Sequence, residues 1–301
     1  MVGRKAVCIM KKPIFTGSGV AIITPFDESG VNFKKLEELF LFHLANNTDA
    51  IIVCGTTGEA SAMSEEEQKA VLEFSVKKIG GKIKMIAGTG SNNTEKAIRL
   101  TKYAENLGYD GALLVTPYYN KTTQRGLIEH YGAIARECNI PLVLYNVPSR
   151  TGVSISIDTL KKLDKTYDNI VAIKEASGDV AFAAKIKAET DLVIYSGNDN
   201  VTLPVMSVGG SGVISVVANV FPKEMHEICE NFQSGNLKSA QLKFLAMLEV
   251  MDAMFIEVNP IPVKTAMNIM GFDVGKLRLP LYEMEEGNAE KLKIALEKFK
   301  D

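Results

Sequence analysis

Ile170-Val171-Ala172-Ile173-Lys174 is a run of apolar residues that ends on an amine. A run that is apolar on both alternating faces belongs to a strand covered on both sides, as in a parallel sheet clad by helices. The same unit repeats outward in both directions. Residues 141–146 and 111–116 lie upstream of it, residues 192–196 and 212–217 downstream, and residues 84–87, 50–54 and 19–24 complete the set toward the amino end. Amphipathic segments separate these runs. Phe33, Leu36, Phe40, His43 and Leu44 recur at helical spacing, and Ser64-Glu65-Glu66-Glu67 ahead of Val71 and Leu72 is a capping-box start. Eight strand–helix units, in the roughly 200 to 250 residues that such a fold occupies, predict an α/β protein built as a (β/α)8 TIM barrel.

A doubly wound open sheet is the main competitor, but its glycine fingerprint is missing: Gly17-Ser18-Gly19 is followed by Val20, Ala21 and Ile22. No phosphate-binding G-x-x-x-x-G-K-[ST] loop occurs either. The barrel is expected over residues 10–235. A small C-terminal helical appendage is expected over residues 236–301, where helical patterns run through 240–255 and 289–299. Met10-Lys11-Lys12-Pro13 reads as a more natural beginning, so residues 1–9 are expected to be a non-native or alternative-start extension.

Composition removes several function classes. Thirty-four basic against 36 acidic residues give a net charge of -2, and no basic run exceeds a dipeptide, so clustered cations for nucleic-acid phosphates are lacking. Cys8, Cys54, Cys138 and Cys229 are far apart and the chain has only three histidines, which argues against a structural metal and a disulfide framework. Scattered thiols suit a reducing compartment, and the protein is read as cytoplasmic. No apolar stretch approaches the roughly 20 residues of a membrane helix, so no membrane partner is expected. His43, His130 and His226 fall within helical patterns and are read as packing or surface residues. Gly209-Gly210-Ser211-Gly212 has no adjacent cation and is read as a tight turn.

In a barrel of this kind the chemistry gathers where strands end. Four ends carry polar groups that a core would not tolerate: Gly55-Thr56-Thr57-Gly58-Glu59, Thr116-Pro117-Tyr118-Tyr119-Asn120, Tyr145-Asn146-Val147-Pro148-Ser149-Arg150, and Lys174-Glu175. Lys174 has two readings. It lies just past the strand end and snorkels into water, or the barrel walls desolvate it and leave enough neutral amine to attack a carbonyl as a Schiff-base nucleophile. A protonated Schiff base is its own electron sink, so the second reading needs no cofactor and no metal. The Thr56-Thr57 turn offers hydroxyls and backbone N–H groups to a small carboxylate. Tyr145 is either a satisfied core tyrosine or a proton carrier, and the planar fork of Arg150 suits a second carboxylate.

Those stretches, with Thr151-Gly152, Ala176-Ser177-Gly178 and Gly212-Val213-Ile214-Ser215, resemble in order the motifs of the dihydrodipicolinate synthase family, within the pyruvate-dependent class I aldolases. The resemblance runs from about Phe15 to the C-terminus. Thr rather than Ser at Thr56, and Arg150 closing its motif, favour this branch over cousins such as the sialic acid lyases. The resemblance implies that Lys174 forms a Schiff base with pyruvate, whose carboxylate rests on Thr56 and Thr57 while Ile214 and Gly197 line the pocket. Arg150 orients L-aspartate 4-semialdehyde, and the product is 4-hydroxy-tetrahydrodipicolinate, in lysine and diaminopimelate biosynthesis. Tyr145, Thr57 and Tyr119 form the implied proton relay, with Tyr119 reaching in from a neighbouring subunit. A homo-oligomer of at least two copies is therefore expected, and the family commonly pairs dimers into tetramers.

In family members inhibited by lysine, a carboxylate receives the effector's amine, and here Lys96 takes that place. Two cations repel by about 1 to 4 kcal/mol at contact distance, so weak or absent lysine inhibition is expected. Two alternatives stay open on the sequence: a sister aldolase acting on a sugar acid, which Arg150 argues against, and a catalytically silent ketoacid-binding barrel.

Overall fold

The computed structural model describes residues 11–300, so the expected 1–9 extension and Cys8 lie outside the described residues. The expected eight strands form and close into one barrel. They are β1 (Gly17–Ala21), β2 (Ala50–Val53), β3 (Lys84–Gly88), β4 (Gly111–Val115), β5 (Leu142–Asn146), β6 (Ile170–Glu175), β7 (Val193–Ser196) and β8 (Gly212–Ser215). Every neighbouring pair is parallel, and β1 closes the ring by pairing with both β2 and β8.

The first strand begins two residues before its expected start and ends earlier. Gly17 and Gly212 explain the early start. Both have positive φ, at 102° and 147°, and a Cβ on Gly212 would sit 1.9 Å from the Gly17 carbonyl oxygen, so only glycine permits this approach. The Ile22 N–H still donates to the Ile52 carbonyl at 3.1 Å, and beyond it loops engage residues 23 and 24. The Ile23 N–H donates to Asn219 Oδ1 at 3.0 Å, and Thr24 Oγ1 donates to the Gly58 carbonyl at 2.7 Å.

The helices outside the barrel are α1 (Phe33–Ala45), α2 (Glu65–Ile79), α3 (Thr94–Leu107), α4 (Gln124–Glu137), α5 (Pro148–Thr151), α6 (Ile157–Thr166), α7 (Val180–Glu189), α8 (Thr202–Ser207) and α9 (Pro222–Gln233). The capping box is formed as read: Ser64 Oγ accepts from the Glu67 N–H at 3.1 Å, and Glu67 Oε2 accepts from the Ser64 N–H at 3.0 Å. Beyond the barrel run α10 (Leu237–Ala253), α11 (Ile261–Ile269) and α12 (Glu286–Lys300). Three features escaped the sequence reading for lack of length or pattern: the antiparallel pair Phe26–Asp27 and Gly30–Val31, the single-turn α5, and α11, which follows Asn259-Pro260 and so looks like loop.

Period-two alternation divides the core. Val143, Tyr145, Ala172, Val193, Tyr195 and Ile214 fill the barrel interior, while Leu144, Ile173 and Ile194 face the helices. Lys174 stands two residues after Ala172 on the same face of β6, and this register aims it inward. Below it the interior is stoppered by Phe15, whose ring stacks on Tyr195 with centroids 4.4 Å apart. Cys54, Cys138 and Cys229 are buried and free. Among the described residues no helix is long and apolar enough to cross a membrane.

Candidate active site

Lys174 is only 5% exposed, so it does not snorkel. Its amine lies 4.5 Å from the centroid of the Tyr145 ring, and the two residues are register partners on β6 and β5. Burial pushes its pKa down from 10.5 to about 8, with Asp199 pulling back up and Arg150 pushing further down. At pH 7 a gap of about one unit leaves roughly a tenth of the amines neutral and nucleophilic.

Asp199 was missed by the sequence reading, although Ser196-Gly197-Asn198-Asp199 is a polar strand end like the four that were chosen. It is buried and accepts from Ser215 Oγ and from the N–H groups of Val216 and Val217, the latter two at 3.0 and 3.3 Å. Burial raises its pKa, opposed by these hydrogen bonds and by Lys174. Beside Lys174, Glu175 accepts from Asn146 Nδ2 at 2.7 Å and from the Ser177 N–H at 2.6 Å. That pair ties the ends of β5 and β6 and fixes the height at which Lys174 and Tyr145 meet.

Tyr145 is buried, and burial raises the pKa of its phenol, opposed by Arg150 and by a side-chain hydrogen bond with Thr56. Thr56 neighbours the Tyr145 phenol, and the Thr57 hydroxyl is buried and accepts from Asn259 Nδ2 at 3.0 Å. The turn carrying both threonines is closely held. Glu59 has a left-handed φ of 53°, and its carboxylate accepts from Lys264 Nζ at 2.8 Å and from the Arg278 N–H at 2.9 Å. Lys264 and Glu59 form an ion pair whose side chains are 1% and 0% exposed.

A cavity of about 510 Å³ opens above this floor, with Thr56, Tyr145, Arg150, Tyr118, Ser61 and Lys96 among its walls. Thr56, Tyr145 and Arg150 thus line one cavity. Ile214 is fully buried in the interior cluster that Tyr145 also joins, and the Gly197 N–H donates to the Glu175 carbonyl at 2.7 Å. Gly197 stands just past the end of β7, and neither residue is among the walls of the wider cavity. Arg150, on α5, donates through Nη2 to the Asn259 carbonyl at 3.0 Å. Tyr119 stands apart: it is 91% exposed and has a left-handed φ of 68°, so within one chain it meets none of the others.

The histidines have structural partners. His43 Nδ1 lies 3.0 Å from Thr48 Oγ1, His130 Nδ1 lies 2.9 Å from Thr94 Oγ1, and His226 Nδ1 lies 2.9 Å from Asp49 Oδ2.

Comparison with known proteins identifies the family. A model of the Dihydrodipicolinate synthetase family matches residues 14–299. The chain is 57% identical over 282 residues to the 4-hydroxy-tetrahydrodipicolinate synthase of Clostridium tetani, covering 93% of this chain and 96% of the relative. It is 57% identical over 288 residues to that of Clostridium novyi, covering 95% and 97%. Among solved structures, the dihydrodipicolinate synthase of Aquifex aeolicus superposes with a TM-score of 0.93 at 46% identity, over 95% of this chain and 98% of that one. The Cyanidioschyzon merolae enzyme with lysine bound gives 0.92 at 38% identity, over 96% and 99%.

Proposed function

The chain belongs to the dihydrodipicolinate synthetase family, and from that premise we propose that Lys174 carries a lyase reaction joining pyruvate to L-aspartate 4-semialdehyde. The supporting observation is the buried Lys174 amine, depressed to about 8 and packed against the ring of Tyr145 at the open end of the barrel.

The neutral Lys174 Nζ attacks the ketone carbon of pyruvate, and loss of water gives a protonated Schiff base. A proton leaves the methyl carbon, and the resulting enamine attacks the aldehyde carbon of the semialdehyde, whose oxygen takes up a proton. The semialdehyde's own amine then displaces Lys174, closing a six-membered ring and freeing 4-hydroxy-tetrahydrodipicolinate. The pyruvate carboxylate rests on Thr56 and Thr57, and Arg150 receives the carboxylate of the second substrate. Protons move through Tyr145 and its partner Thr56. An exposed Tyr119 on a left-handed backbone is presented for a neighbouring copy, so the working unit is at least a dimer. A tyrosine gives and takes protons at neutral pH only within such a hydrogen-bonded chain.

Lysine is not a strong inhibitor in this reading. Lys96 lines the cavity with Ser61 and Tyr118, and the family resemblance gives it the position of the carboxylate that receives the effector's amine, where a cation repels it. An assay with pyruvate and L-aspartate 4-semialdehyde, with and without lysine, tests both parts. Turnover unaffected by submillimolar lysine is expected. Absence of turnover contradicts the reaction, and inhibition at that level contradicts the reading of Lys96.

A further inference from the structure

Asn259 lies outside the eight strand–helix units, between α10 and α11, yet it touches both ends of the site. Its Nδ2 donates to Thr57 Oγ1 at 3.0 Å, and its backbone carbonyl accepts from Arg150 Nη2 at 3.0 Å. The residue is 6% exposed, and among the described residues its Oδ1 is buried without a hydrogen-bond partner. A buried acceptor left unmet carries a desolvation penalty, so stability alone gives no reason to keep an amide there. Five residues further on, Lys264 grips Glu59 in the same turn, and the segment therefore embraces the threonine turn at two points.

A hydroxyl has one hydrogen to donate and lone pairs to accept with. With Asn259 Nδ2 donating to Thr57 Oγ1, a lone pair is spent on the outer side and the hydroxyl hydrogen stays free for the site. A free hydrogen is what a carboxylate needs, whereas a lone pair facing it would repel. From this we infer that Asn259 is a positioning residue: its side chain sets Thr57 as a donor to the carboxylate of pyruvate, while its main chain independently steadies Arg150 for the second substrate. The inference deepens the Schiff-base reading and rests on it.

The test uses the full-length protein and borohydride trapping on Lys174, scored as the pyruvate concentration that gives half-maximal labelling, alongside steady-state kinetics. Asn259→Ala removes the side-chain donor and keeps the carbonyl that holds Arg150. It raises the half-saturating pyruvate roughly three- to tenfold, the factor expected for one hydrogen bond, with the KM for the semialdehyde unchanged. Asn259→Asp, of the same shape, can only accept at that atom and adds like charge, so it raises half-saturation by more than roughly tenfold. An equal rise for both substrates overturns the assignment of the Asn259 side chain to the pyruvate carboxylate. Wild-type labelling with both variants saturating at the wild-type concentration overturns the role of Asn259 alone. Wild-type protein that is not labelled at all overturns the Schiff-base reading, and the inference with it.

Discussion

Lys174 and Tyr145 face each other across the β5–β6 pair, amine to ring centre 4.5 Å apart. Neither is common inside a barrel, and each is perturbed by the same burial, the amine downward and the phenol upward. The amine is thereby freed of its proton near neutrality, while the phenol keeps its own until a hydrogen-bonded neighbour accepts it.

The pH dependence of trapping follows. With Lys174 at about 8, the rate of Schiff-base formation rises tenfold per unit below that value and levels off above it. The same shift governs stability. A lysine whose folded pKa is depressed disfavours the fold below about 8 and ceases to do so as pH rises toward 10.5, because the unfolded chain then binds more protons. Lys174→Met is therefore expected to be inactive yet more stable at pH 7, by about 1 to 3 kcal/mol in urea unfolding. A less stable Lys174→Met protein contradicts the burial argument.

Arg150 is exposed apart from its bond to the Asn259 carbonyl, so its guanidinium retains free donors for a ligand. Arg150→Ala is expected to raise the KM for L-aspartate 4-semialdehyde by roughly 10- to 100-fold, the loss of a charge-assisted hydrogen bond, with much less effect on pyruvate. An equal effect on both substrates places Arg150 on the wrong one.

The Glu59–Lys264 pair is buried on both sides, and Lys264 Nζ also donates to the Lys276 carbonyl at 2.8 Å. Removing one partner leaves the other charge desolvated and alone. Lys264→Met is expected to cost about 3 to 5 kcal/mol in urea unfolding. A cost below about 1 kcal/mol shows that the turn around Glu59 is held by other contacts.

Tyr119 makes little contact within its own chain, so its hydroxyl adds nothing to the monomer fold. Tyr119→Phe is expected to lower kcat by roughly 10²-fold with unchanged sedimentation and unfolding. Unaltered kcat removes Tyr119 from the proton path.

The barrel was legible because its strands are short apolar runs at even spacing, and the site because polar groups at strand ends break that pattern. What sequence could not reveal is contact across distance. Thr56 and Thr57 are adjacent and chemically identical, and only the turn's geometry gives one to Tyr145 and the other to Asn259. Asn259 itself sits in Val258-Asn259-Pro260, a stretch with no periodicity, and 202 residues separate it from Thr57. Asp199, in Ser196-Gly197-Asn198-Asp199, carries the same strand-end signal as the four chosen ends. Lys174 could be read as snorkelling because one-dimensional position does not show which face of β6 it occupies; the register with Tyr145 does.

Borohydride reduction in the presence of pyruvate, followed by peptide mass spectrometry, tests the covalent step most directly. The account predicts a lactyl-sized mass increase confined to the peptide containing Lys174. Unmodified protein, or the same mass on a different lysine, contradicts it.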